Sequence, residues 1–129
     1  MTDESRFATA ICCIDGRFVT RTVDHLQTRF GNRPVDLVTT AGAVRHLVGD
    51  VGPVGQDLLT NVAASAKAHN STQLALVAHG DCAGNRVPDG RHKEQLRAAG
   101  SMLRTRFQEM EVLTLFLNPK TGFENVRGR

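Results

Sequence analysis

Apolar and polar positions follow two alternating patterns along this chain. Four short runs are rich in apolar residues, as in strands buried within a sheet. They cover residues 7–13, 35–40, 74–78 and 112–117. Between them, apolar residues recur every three or four positions, which is typical of helices that pack one face on a core. These positions are Val19, Val23, Leu26 and Phe30, then Leu58, Leu59, Val62, Ala63 and Ala66, and finally Leu96, Ala99, Leu103 and Phe107.

The alternation of strands and helices predicts an α/β fold. Parallel strands joined by right-handed crossovers place helices on both faces of the sheet, so we expect three layers around a four-stranded parallel sheet. If the second and third strands lie on opposite sides of the first, the strand order reverses between the first and the third. Ligands of such folds bind at that point, outside the carboxyl ends of the strands.

Composition narrows the class of protein further. The 129 residues predict one domain over 1–129. The chain has no Trp or Tyr, its net charge of +3 is mild and its arginines are scattered, so we expect no nucleic-acid partner. No run approaches the ~20 apolar residues of a membrane span, and the N-terminus lacks the apolar core of a signal peptide. A cytoplasmic location is therefore expected, where three cysteines indicate thiol or metal chemistry rather than disulfides.

Candidate metal ligands follow two of the predicted strands. Cys13 ends the first strand, and His79 and Cys82 follow the third. Two thiolates and one imidazole form a ligand set that zinc takes in catalytic sites with an open fourth position. Each of these side chains alone is more commonly structural, and the prediction rests on their combination at two strand ends. Cys12 points to the other face of its strand and is expected in the core.

Asp15 and Arg17 come directly after Cys13, and two arrangements are open to them. Asp15 could coordinate the metal as a fourth ligand, or it could accept a hydrogen bond from a bound water. Arg17 can bind the Asp15 carboxylate in a bidentate manner. That ion pair would keep Asp15 ionised and draw it away from the metal, so we expect the two residues to act together as a gate.

The remaining histidines are weaker candidates for a functional role. His46 and His92 lie near predicted loops and could transfer protons. His25 and His69 lie on predicted helices and are expected at the surface.

The two ligand motifs together resemble the zinc signature of β-class carbonic anhydrases. The motifs are Cys13-x-Asp15-x-Arg17 and His79-x-x-Cys82. Weaker agreement comes from the segment 40–42, Thr-Ala-Gly, and from the Lys-Thr-Gly turn at 120–122. The resemblance runs from about residue 7 to residue 126. It is to a short, N-terminally truncated member, since the chain begins almost at the first strand.

This resemblance implies a fold, an activity and roles for the site residues. Cys13, His79 and Cys82 would hold zinc, and Asp15 and Arg17 would form the catalytic dyad. The backbone N–H of Ala83 would lie near the bound substrate. The implied activity is that of a lyase, the reversible hydration of carbon dioxide to bicarbonate by zinc hydroxide.

Two other functions stay open at this point. A related zinc hydrolase would act on carbonyl sulfide or carbon disulfide, and a non-catalytic relative would only bind zinc. A homodimer or a higher homo-oligomer is expected in each case. The leucines of the last predicted strand exceed what one helix could cover, and an exposed apolar patch usually marks an interface. They are Leu113, Leu115 and Leu117.

Overall fold

The computed structural model describes residues 6–127, which alternate between strands and helices as expected. The strands are β1 (Ala8–Cys12), β2 (Val35–Thr39), β3 (Gln73–His79), β4 (Glu111–Asn118) and β5 (Gly122–Asn125). The α-helices are α1 (Gly16–Arg29), α2 (Pro53–His69) and α3 (Asp89–Arg106). A short 3-10 helix over Ala43–Leu47 lies between β2 and α2.

The five strands form one sheet in the order β2-β1-β3-β4-β5. The first four are parallel, which confirms the predicted fold class. β2 and β3 lie on opposite sides of β1, so the strand order reverses between β1 and β3. The fifth strand is an addition, because the chain turns back after β4 and pairs with it in the antiparallel sense. The Asn118 side chain accepts hydrogen bonds from the backbone N–H groups of Lys120 and Thr121 and so closes this tight turn.

The sheet is covered on both faces, as its apolar strands require. On one face α2 and α3 pack on β1 and β3 through residues such as Val62 and Leu103, both fully buried. On the other face α1 supplies Leu26, and Phe30 follows at its C-terminal end. The site at the carboxyl ends of the strands therefore rests on a core packed from two sides.

The expected apolar patch on the last long strand is absent, so that argument for an oligomer is wrong. Leu115 and Leu117 are buried, and Leu113 packs against the same cluster as Leu26. The added strand β5 brings Phe123 against this cluster, which the sequence pattern did not predict. Within residues 6–127 the exposed large apolar side chains lie elsewhere, at Ile14, Leu37 and Val54.

The strand order determines where the candidate site lies. β1 and β3 are neighbours, and their carboxyl ends meet at the point where the order reverses. Cys13 directly follows β1, and His79 is the last residue of β3.

No helix in the described part of the chain is long and apolar enough to cross a membrane.

Candidate metal centre

Cys13, His79 and Cys82 come together at the carboxyl ends of β1 and β3. Their ligand atoms all lie within 4.8 Å of one another. The Sγ atoms of Cys13 and Cys82 are 3.9 Å apart. Two sulfurs bound to one tetrahedral zinc at about 2.3 Å would be separated by about 3.8 Å. The spacing of the two thiols therefore matches what a single zinc ion requires.

The orientation of the His79 ring fits the same conclusion. Its Nδ1 lies 2.7 Å from the carbonyl oxygen of Gly80, so Nδ1 carries the proton that this hydrogen bond needs. Nε2 is buried and has no hydrogen-bond partner within the described residues. A buried polar atom without a partner is costly, whereas a histidine held at Nδ1 by a backbone carbonyl is a common metal ligand through Nε2. The donor set and its one unpartnered nitrogen thus fit zinc.

The two thiols are placed so that a cation would stabilise their ionised forms. The backbone N–H of Gly42 donates to Cys13 Sγ at 3.4 Å. Burial raises the pKa of Cys82, as does the neighbouring Cys13, while the N–H groups of Gly84 and Asn85 partly oppose this. Two thiolates at this distance repel each other, and a bound dication removes that repulsion.

Two glycines bring the loop after β2, whose Gly42 donates to Cys13, against the loop that carries Cys82. A Cβ atom on Gly42 would lie 2.3 Å from the carbonyl oxygen of Gly84, and one on Gly84 would lie 2.5 Å from the nitrogen of Gly42. Gly42 also has a φ of +60°, in the region that favours glycine. Any side chain at either position would separate the loops, so this contact keeps the ligands in register.

Asp15 lies beside the ligand group, at the start of α1. Its side chain caps the helix by accepting the N–H of Arg17, at 3.0 Å. The Arg17 guanidinium binds both carboxylate oxygens, with Nη2 2.7 Å from Oδ2 and Nε 3.1 Å from Oδ1. These hydrogen bonds lower the pKa of Asp15 from 3.8 to about 2. Asp15 Oδ2 is also 4.0 Å from the unpartnered Nε2 of His79.

Arg17 is itself held by a residue that the sequence pattern did not single out. Its Nη1 lies 3.2 Å from Asp81 Oδ2, and its Nη2 donates to the Asp81 carbonyl at 3.1 Å. Asp81 has a φ of +53°, which turns the chain sharply between His79 and Cys82. The guanidinium also lies 4.8 Å from the centre of the Phe18 ring, which packs against the His79 ring. One arginine therefore joins the Asp15 loop to the loop that carries Cys82.

The ligand group is closed on its inner side and open on its outer side. The inner side is filled by side chains, among them Val44, Val77 and His92, with no room for a water molecule. On the outer side a cavity of about 360 Å³ is lined by Arg17, Asp81, Cys82, Ala83, Arg86 and Val87. This cavity borders the ligand group at Cys82.

The remaining sequence candidates lie outside this open cavity. Cys12 is buried in the core, and burial followed by the charge of Cys13 raises its pKa to about 11. His92 belongs to α3 rather than to a loop and is buried edge-on against Phe116. Burial lowers the pKa of His92 and also that of His46. His69 stays partly exposed, as expected, and pairs with Asp36.

Comparison with solved structures finds similar folds among carbonic anhydrases. The carbonic anhydrase from Glaciozyma antarctica matches with a TM-score of 0.62 at 14% identity, over 92% of this chain and 80% of that one. A structure from the ascomycete Sordaria macrospora, described as one of two tetrameric β-carbonic anhydrases, matches with a TM-score of 0.60 at 12% identity, over 95% of this chain and 81% of that one. At these identities the likeness concerns the fold. Comparison with curated proteins finds no significant match.

A family model covers nearly the whole chain. The model, described as "Putative carbonic anhydrase", matches residues 3–127. That span includes every ligand of the candidate metal centre and the Asp15–Arg17 pair. The resemblance inferred from the two cysteine and histidine motifs is thereby confirmed, and the chain belongs to this carbonic anhydrase family.

Proposed function

We propose that this protein is a zinc-dependent carbonic anhydrase that catalyses the reversible hydration of carbon dioxide to bicarbonate, as a single domain over 1–129. The observation that carries the proposal is the convergence of two thiols and an unpartnered imidazole nitrogen beside an arginine-bound carboxylate. Membership of the carbonic anhydrase family supports the choice of reaction.

Cys13, His79 and Cys82 would hold the zinc ion in this proposal. When bound there, zinc supplies a Lewis acid that activates a water molecule at neutral pH. The protein contributes the fixed positions of the donors. Gly80 holds the His79 ring through Nδ1, and Gly42 donates to Cys13.

Asp15 would orient the reacting water and accept a hydrogen bond from it. An ionised carboxylate can only accept hydrogen bonds, and the Arg17 hydrogen bonds keep Asp15 ionised at neutral pH. Because Arg17 binds both oxygens, it also holds the carboxylate back from the metal. In the alternative arrangement Asp15 leaves Arg17 and becomes the fourth ligand, which closes the site.

The outer cavity would admit carbon dioxide and release bicarbonate. Ala83 lines this cavity and is exposed. Its carbonyl oxygen accepts from Arg86 at 3.4 Å. Its N–H donates no hydrogen bond within the described residues. This N–H is the group that we assign to substrate binding, since an oxygen atom of the substrate could accept from it.

We also propose that the protein functions as a homodimer or a higher homo-oligomer. Ile14 lies between Cys13 and Asp15, and 58% of it is exposed to solvent. A single exposed isoleucine is common on protein surfaces, so Ile14 alone does not carry this proposal. The structure from Sordaria macrospora, described as that of a tetrameric enzyme, supports this proposal.

The test is a comparison of substrates on one zinc-loaded preparation. Stopped-flow hydration of carbon dioxide and hydrolysis of carbonyl sulfide and of carbon disulfide are measured on the same protein. We expect carbon dioxide hydration to be the fastest of the three. Faster turnover of a sulfur compound would assign the hydrolase function instead, and no turnover of any would assign a non-catalytic role in zinc binding.

A further inference from the structure

A second, basic cavity lies away from the metal centre, at the start of β4. It has a volume of about 580 Å³, which is in the range of small-molecule sites, about 300–1,000 Å³. Three arginines line it, together with Glu111 and Asn125. The arginines are Arg29, Arg104 and Arg127.

The strand register separates this cavity from the metal centre. Glu111, at the start of β4, pairs with Gln73, at the start of β3. His79 is the last residue of β3, six positions after Gln73. Six residues of a strand span about 20 Å, so the basic cavity and the metal centre lie at opposite ends of the sheet.

Three separate elements bring the arginines to this corner. Arg29 lies in the last turn of α1, on one face of the sheet, and Arg104 lies in the last turn of α3, on the other face. Arg127 follows β5. Because β5 pairs with β4 only from Leu115 onward, the first residues of β4 remain open at the sheet edge between the two helix ends. The cavity occupies that gap.

The charges at the cavity are left without partners by the protein. Within residues 6–127 the side chains of Arg29 and Arg127 form no ion pair or hydrogen bond, and Glu111 forms no ion pair. Arg104 donates only to the carbonyl oxygen of Val112, at 3.3 Å. Cations are favourable at helix C-termini, which explains why Arg29 and Arg104 can lie in the last turns of two helices. It explains neither the position of Arg127 nor the guanidinium N–H groups that have no acceptor among the described residues. Three arginines and one glutamate leave a net charge of +2.

We propose that this cavity binds a phosphate dianion, either inorganic phosphate or the phosphoryl group of a small molecule. Guanidinium groups bind phosphate oxygens in a bidentate manner, and a dianion balances the net charge of the lining. The cavity is larger than one phosphate ion, which leaves room for the remainder of a phosphomonoester. This site is independent of the activity proposed above.

The test is a calorimetric titration of the full zinc-loaded chain with inorganic phosphate and, separately, with adenosine monophosphate, at constant ionic strength. We expect saturable binding that weakens by about tenfold or more in Arg29→Gln and in Arg104→Gln. Glu111→Gln removes the one negative charge and should tighten binding. Arg86→Gln, at the metal-centre end of the sheet, is the matched control and should bind as the wild type does.

Each outcome of the titration decides the proposal. Absence of saturable binding of either ligand beyond that seen with chloride would overturn it. So would weaker binding in Arg86→Gln with unchanged binding in Arg29→Gln, because the anion would then occupy the metal-centre end. If Arg104→Gln fails to fold, the other two variants still test the site, because phosphate should bind more weakly to Arg29→Gln and more tightly to Glu111→Gln. Tighter binding of adenosine monophosphate than of phosphate identifies a phosphomonoester, and the reverse identifies the free ion.

Discussion

Arg17 binds both carboxylate oxygens of Asp15, two residues before it, at the point where β1 passes into α1. The same guanidinium reaches the Asp81 carbonyl, and Asp81 follows His79 by two residues. This arrangement positions one carboxylate, with its pKa lowered to about 2, 4.0 Å from the unpartnered nitrogen of His79. In the proposed mechanism this ion pair would determine whether Asp15 faces the reacting water or the metal.

Removal of the guanidinium should lower activity without loss of zinc. In Arg17→Ala we expect kcat for hydration to fall by about 10- to 100-fold, since hydrogen bonds to a charged group contribute about 1.5–3 kcal/mol. Zinc content should stay near one per chain. Arg21→Ala, one turn further along α1, is the control and should keep full activity. An Arg17→Ala variant with wild-type kcat would contradict the proposed role of the ion pair.

Substitutions should distinguish the proposed ligands Cys13 and Cys82 from Cys12, which lies in the core. Cys13→Ser and Cys82→Ser should each reduce zinc affinity by more than about 100-fold, because loss of a direct ligand should exceed the 10- to 100-fold effect of removing a residue that only supports one. Cys12→Ala, the adjacent buried thiol, should keep wild-type affinity. Competition with a chromophoric chelator measures all three. Equal losses in Cys12→Ala and Cys13→Ser would show a folding effect rather than ligation.

The close approach of Gly42 and Gly84 predicts that an alanine destabilises the protein more at Gly42 than at Gly49. Gly42→Ala places a Cβ 2.3 Å from the Gly84 carbonyl oxygen, whereas a Cβ at Gly49 meets no atom within 4 Å. Both glycines have a positive φ, so backbone strain is common to the two variants. We expect Gly42→Ala to lose about 1–3 kcal/mol more unfolding free energy than Gly49→Ala. Urea denaturation gives both values, and similar losses would argue against a steric role for this contact.

The buried position of the His25 ring predicts that the protein loses stability in mild acid. Its ring stacks on Phe123, and its Nε2 is buried without a partner within the described residues. Burial, and secondly the charge of Arg29, lowers the pKa of His25 below its ordinary value of 6.5. The folded state therefore binds this proton less readily than the unfolded state does. The stability that His25 contributes is fully present above about pH 6.5, and it is lost as the pH falls through the lowered pKa of His25.

The measurement is urea denaturation of wild type and His25→Gln at pH 7.5 and pH 5. The other titrating groups are common to both proteins, so their contribution cancels in the difference. We expect the wild type to lose more stability between the two pH values than His25→Gln does. The same loss in both proteins would mean that His25 protonates without opposition in the folded state.

Much of this fold could be predicted from the sequence because local patterns determine it. Apolar runs and helical spacing give the first four strands and the three helices, and right-handed crossovers place those helices on both faces of the sheet. β5 could not be predicted, since a four-residue strand with two exposed positions carries little periodicity. The burial of Leu115 and Leu117 then follows from tertiary packing.

The candidate site was partly predictable for a similar reason. Cys13, His79 and Cys82 are residue types with few structural uses in combination, and the strand order alone brings them together. Asp81 gave no such signal, because an exposed aspartate in a turn is common and its contact with Arg17 depends on the backbone conformation at Asp81. The contact of Gly42 with Gly84 likewise joins two loops that are distant in sequence.

The central claim is that zinc at Cys13, His79 and Cys82 makes this protein a carbonic anhydrase. Its most direct test is stopped-flow carbon dioxide hydration measured on samples of graded zinc occupancy, with zinc determined on the same samples. We expect the rate to rise in proportion to bound zinc and to fall to the buffer rate in the Cys13→Ser, Cys82→Ser double variant. A fully zinc-loaded wild-type protein that hydrates carbon dioxide no faster than buffer would contradict the claim.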